Sequence, residues 1–132
     1  MLPDIQTRSD IDTLVAAFYK LAVPDELIGH FFTTVKSVDF DAHLPKIADF
    51  WENMLLRKPV YEGSPMQIHM HLNQLSPLQP KHFERWLQIW NSTVRQQFSG
   101  PIALLAIERA AMVARSISMR IEDEQLFPAS PS

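Results

Sequence analysis

Apolar residues recur every three or four positions along most of this chain, and no convincing run alternates with period two. The helical period is the dominant signal, so the pattern predicts an all-α fold. Ser9-Asp10-Ile11-Asp12 opens the first helix: Ser9 is a good N-cap, and the acids stand at the positive end of the helix dipole. Ile11, Leu14, Val15, Phe18 and Leu21 form its apolar stripe, with Tyr19 beside it. Pro24 ends this helix and starts a short one, PDELIGHFF, whose apolar side is Leu27, Ile28, Phe31 and Phe32.

The strongest periodic segment follows. Phe40, His43, Leu44, Ile47, Phe50, Trp51, Met54 and Leu55 make one wide helical face, and His43 lies on it. Pro45 donates no backbone hydrogen bond and clashes with the preceding turn, so it belongs in a first turn. That places the regular start of the helix near residues 42–44. RKPVYEGSP is a loop, MQIHMHL a short helix or irregular segment, and NQLSPLQP a second loop. Pro80 restarts a helix carrying Phe83, Trp86, Leu87, Trp90 and Val94. Gly100-Pro101 opens the last one. There Leu104, Ile107, Ala111 and Ala114 make one stripe, and Leu105, Met112 and Met119 another close beside it. The reading is about five or six helices in one domain over residues 9–121. An N-terminal arm of residues 1–8 precedes it, and a flexible tail of residues 122–132 follows.

Composition narrows the function. The chain has 132 residues and a formal net charge of −3, with no basic cluster to suggest a nucleic-acid or membrane surface. No apolar run approaches the roughly 18 residues that span a bilayer, and no signal peptide is recognisable. There is no cysteine, which removes disulfides, thiolate metal sites and cysteine nucleophiles and fits a cytoplasmic location. Only 3 glycines are present, and neither a GxGxxG nor a GxxxxGK[ST] phosphate loop can be written.

Four polar groups stand on or beside apolar helical faces: Tyr19, His43, His69 and Trp86. Singly, each has a bland explanation. A lone His on an apolar face is more often a packed core histidine than a ligand, and a Trp or Tyr at helical spacing is normally packing. Together they fit a flat apolar cofactor between the helix of residues 43–55 and the segment 66–72. One histidine would come from each side, and a neutral imidazole suits an iron. Phe31, Phe32, Ile47, Phe50, Phe83 and Trp86 would supply the walls.

These residues carry a resemblance. LVAAFYKLA, HLPKIADFWENMLL, YEGSPMQIHMHL, HFERWLQIW and ERAAMVA are similar to the third group of bacterial truncated haemoglobins, over roughly residues 9 to 120. The lack of paired-glycine motifs agrees with that group. The resemblance implies a two-over-two helical sandwich around haem b. It implies a pentacoordinate iron that binds O2, NO and CO, and an external reductase. His69 matches the proximal histidine, Tyr19 the tyrosine that hydrogen-bonds bound ligand, His43 the distal histidine and Trp86 the distal tryptophan. Ile47 matches the apolar residue one turn beyond His43, Phe32 a porphyrin-packing phenylalanine and Lys46 a propionate contact. Phe31, Phe50, Leu72 and Phe83 complete the cofactor pocket. Helical residues two apart point about 200° away from each other, so His69 and His71 cannot share one iron. The resemblance selects His69. Pro45, two positions after His43, departs from the family pattern and puts the placement of His43 in question.

The implied chemistry is on O2 or NO, by NO dioxygenation or peroxidase-like activation, and not transport. Two other readings stand beside it. One is a cofactor-free helical interaction module. The other is a non-haem metal site using His69, His71 or His82, which no carboxylate–histidine helix motif supports.

Overall fold

Thr7, not Ser9, caps the first helix. Its hydroxyl accepts from Asp10 N at 3.2 Å, while the Asp10 carboxylate accepts from Thr7 N at 3.1 Å and Gln6 N at 2.8 Å. This reciprocal capping box starts α1 (Arg8–Ala22) one residue ahead of Ser9. The computed structural model describes residues 1–35, 39–59, 61, 63 and 65–126. Among them the chain forms α1, α2 (Phe40–Leu56), α3 (Pro65–Leu75), α4 (Pro80–Gln97) and α5 (Pro101–Leu126), with a π-helical turn at Phe31–Val35. No strand occurs among the described residues.

PDELIGHFF does not form a regular α-helix. Asp25 folds it into turns by accepting from Leu27 N and Ile28 N at 3.0 and 3.1 Å. A Cβ at Gly29 would run into the Val23 carbonyl, so this close approach requires glycine. α2 also starts earlier than expected, because Asp39 caps it at 3.1 Å through Asp41 N. Pro45 therefore sits in the second turn and leaves the Asp41 carbonyl without its helical donor, at a residue exposed to solvent. Arg8 braces the same region. Its guanidinium donates to the Pro45 carbonyl at 3.2 Å, to Asp49 at 2.6 Å and to Glu52 at 3.0 Å, tying α1 to α2.

Two layers result. α1 packs on α2 and α4 on α5; across the layers, α1 meets α4 and α2 meets α5, while α3 leans on α5 and the π turn. The Trp51 and Trp90 rings stack at the centre with centroids 4.4 Å apart, and Phe18 meets Trp90 edge-on at 5.5 Å. Trp90 Nε1 donates to the Ala106 carbonyl at 3.1 Å. The buried face of α5 is Ala103, Ala106, Ala110, Ala114, Ile117 and Ile121; Leu104, Ala111, Met112 and Met119 are exposed. The expected stripes are thus rotated. Small side chains face α4 because the tryptophans already fill the space between the helices, and close packing leaves no room for a second large residue.

The N-terminal arm is tied to the start of α5. The Asp4 carboxylate accepts from Ile102 N at 3.0 Å and Ala103 N at 2.8 Å, capping a helix 98 residues away, and Ile5 is buried. Gly100 has φ +140, and a Cβ there would lie 2.6 Å from the Asp4 carboxyl carbon. Burial pushes the Asp4 carboxyl up, but three backbone amides outweigh it and hold it below the usual range. The stabilisation is therefore present above about pH 4 and lost as pH falls through the lowered value. Asp4→Ala should cost about 1 kcal/mol at pH 7 and lower the melting temperature by about 4 °C. Thermal melts at pH 7 and pH 3 check this: the difference from the natural chain should be present at pH 7 and shrink at pH 3.

Candidate functional site

An apolar cleft of about 120 Å3, partly open to solvent, lies between α3 and the α4–α5 layer. α1 delivers Tyr19 at its C-terminal end, and the following turns deliver Ile28, Phe31 and Phe32. α3 presents His69 and Leu72, three apart on one face. α4 adds His82, Phe83 and Trp86, and α5 closes the floor with Val113, Ala114 and Ile117.

His69 is held by its own helix. Its Nδ1 lies 2.7 Å from the Pro65 carbonyl oxygen, one turn back. A carbonyl only accepts, so Nδ1 carries the proton and donates, and Nε2 keeps its lone pair. Burial pushes the imidazole below its usual pKa, and the bond to Pro65 only partly opposes this. The ring is therefore neutral near pH 7. His71, two residues on, is exposed.

Tyr19 is another polar residue lining the cleft. Burial pushes its pKa up, so the phenol keeps its proton. Its hydroxyl lies 3.1 Å from His43 Nε2 and shares a hydrogen bond with it. Phe18, Phe32 and Phe40 meet the Tyr19 ring edge-on at 5.1, 5.3 and 5.6 Å. Trp86 lies parallel to Trp90, 10° between planes and 6.3 Å between centroids, which joins one wall of the cleft to the core.

The structure thus gathers Tyr19, Phe31, Phe32, His69, Leu72, Phe83 and Trp86 around one cleft. It leaves four expected residues outside the lining. His43 stands behind Tyr19, against Phe40. Ile47 is half-buried against the core, and Lys46 is exposed. Phe50 packs edge-on to Trp51 and Tyr61 and borders a separate groove with Met54 and Met66.

His82 was not anticipated as a wall of the cleft. It is buried, its Nδ1 accepts from Gln79 N at 2.9 Å, and its ring meets Phe31 edge-on at 4.9 Å. Its position just after Gln79-Pro80 is the available sequence signal, since a polar side chain there reaches back to cap the helix. Burial lowers its pKa, helped by Lys81 and His30. Among the described residues no three His, Cys, Asp or Glu side chains gather to hold an ion, which leaves the non-haem metal reading without support. Among the described residues no helix is long and apolar enough to cross a membrane.

No family model matches the chain. It is 26% identical over 110 residues to a group 3 truncated haemoglobin from Campylobacter jejuni, covering 81% of this chain and 84% of that protein. It also aligns with the crystal structure of a group III truncated haemoglobin from Campylobacter jejuni. The TM-score is 0.79 at 25% identity, over 92% of this chain and 95% of that chain. The fold is that of a truncated globin.

The truncated-globin layers are the α1–α2 and α4–α5 pairs, and α3 is the short helix that presents His69. Because the pKa values of His69 and His82 are both lowered on folding, the unfolded chain binds more protons below about pH 6.5. Folding stability of the chain should be full above that pH and fall as pH drops beneath it. Urea midpoints measured from pH 8 to 5 check this, and His82→Gln should flatten part of the slope. A profile without any decline would mean that neither imidazole is held neutral.

Proposed function

We propose that the cleft takes haem b, with His69 as the iron's protein ligand, and that the chain binds O2, NO and CO there. The observation that carries this reading is the His69 ring: neutral, its proton held on Nδ1 by the bond to Pro65, with the unprotonated Nε2 lone pair left to act as a ligand in an apolar cleft. The residues present fit the group. Phe31, Phe32, Phe83 and Leu72 offer apolar surface to a flat macrocycle, and the described residues offer no competing ion cluster. The likeness to truncated haemoglobins supports the same reading.

Haem held there would supply an iron able to bind diatomic ligands and activate O2. What this chain adds is polarity on an otherwise oily wall. The Tyr19 phenol and the Trp86 indole N–H are the donors proposed for the ligand, each contributing on the order of 1–3 kcal/mol in a dry pocket. Tyr19 has one proton. When His43 Nε2–H donates to the Tyr19 oxygen, that phenol proton is free for the ligand; when Tyr19 donates to His43, it is not. His43 is therefore a positioning residue whose tautomer sets the direction of the Tyr19 bond. On α2, Ile47 and Phe50 are proposed as further apolar wall, and Lys46 as the partner of a haem propionate.

Tight retention of O2 suits chemistry on O2 and NO better than transport. NO dioxygenation combines NO, O2 and one electron to give nitrate, so a reductase must supply the electron; peroxidase-like activation needs an external donor too. The setting proposed is the cytoplasm. Hemin titrated into the purified chain should give a saturable one-to-one complex with an intense Soret band that shifts under CO after reduction. A chain that stays colourless would leave a cofactor-free interaction module as the reading. In the reduced complex, Tyr19→Phe should speed O2 release about tenfold, the loss of roughly 1.4 kcal/mol. An unchanged rate, read by stopped-flow, would remove Tyr19 from the role.

A further inference from the structure

α5 has a second face, turned away from the core. Leu104, Glu108, Ala111, Met112, Arg115 and Met119 are all exposed on it. At 100° per residue the six fall within an arc of about 100°. Leu104, Met112 and Met119 are 56%, 54% and 56% exposed, an apolar stripe that a solvated helix face does not need.

The order of residues along this face is self-complementary. Two ridges step by four side by side: Leu104-Glu108-Met112 and Ala111-Arg115-Met119. A two-fold axis between residues 111 and 112 lays each ridge of one copy on the other ridge of a second, antiparallel copy. Leu104 then faces the partner subunit's Met119, and Glu108 faces the partner subunit's Arg115. Ala111 sits at the crossing point, where a small side chain lets the helices approach closely. A parallel arrangement would set Glu108 against Glu108 and Arg115 against Arg115, so the charges select the antiparallel one.

We infer that α5 is the homodimer interface of this chain, formed by antiparallel packing of this face on its copy. The apolar residues at the centre and ends supply the driving force, and the flanking Glu108–Arg115 pairs set the register. The face lies across α5 from Val113 and Ile117, which line the cleft, so association leaves the cleft accessible. One helix face buries less than the roughly 800 Å2 per partner of a standard interface, so the dimer is concentration-dependent.

Sedimentation equilibrium on the full chain over a wide concentration range tests this. The natural chain should pass from the mass of one chain to that of two. Glu108→Lys and Arg115→Glu should each raise the dissociation constant at least tenfold. An equimolar mixture of the two variants should regain it, because each then meets an opposite charge. Circular dichroism verifies that both variants keep their helices. A single-chain mass at every concentration, variants that dimerise as well as the natural chain, or a mixture of folded variants that fails to recover would overturn the proposal.

Discussion

The hydrogen bond from His69 Nδ1 to the Pro65 carbonyl governs the candidate site. α3 contains no fully buried residue, so core packing does not fix the orientation of its side chains. The bond to the helix's own backbone does so locally. It sets the tautomer, turns the ring and leaves Nε2 as the basic nitrogen; burial then keeps that nitrogen unprotonated. The same bond draws on the first turn of α3, where Pro65 begins the helix and one carbonyl can accept a second donor.

The opposite side of the cleft is built differently. Trp86 continues the aromatic stack of Trp90 and Trp51, and Phe18 touches Trp86, Trp90 and Tyr19 edge-on. Tyr19 and Trp86 are thus extensions of the hydrophobic core, held by the contacts that hold the two layers together. A locally anchored histidine on a lightly packed helix therefore faces polar groups on a rigid wall. That division would suit the proposed role, in which the pocket takes a large flat group while its donors stay in place.

Most helices were legible because the apolar period survives along the chain, and helix geometry excluded one iron shared by His69 and His71, while only the family resemblance selected His69. Other features depended on distance in space. Asp4 caps α5 across 98 residues, and the Tyr19–His43 bond joins two helices; neither leaves a local pattern. α5 misled for a packing reason. Large apolar residues mark a core face only where the neighbouring helix leaves room, and here Trp90 fills that space and selects alanines. Pro45 marked a helix start by propensity, but Asp39 supplied the cap and Arg8 braced the following turn, so the helix absorbed the proline. His82 was read only as a candidate ligand of a non-haem metal site; its burial in the cleft wall came from the tertiary fold.

The central claim is that one imidazole nitrogen, freed by a backbone carbonyl, takes the iron. Resonance Raman spectroscopy of the reduced, hemin-loaded chain reads that bond directly. The account predicts a single iron–histidine stretching band that is absent in His69→Gly and returns at a shifted frequency when free imidazole is added. The same band persisting unshifted in His69→Gly would mean that another histidine holds the iron, and would contradict the account.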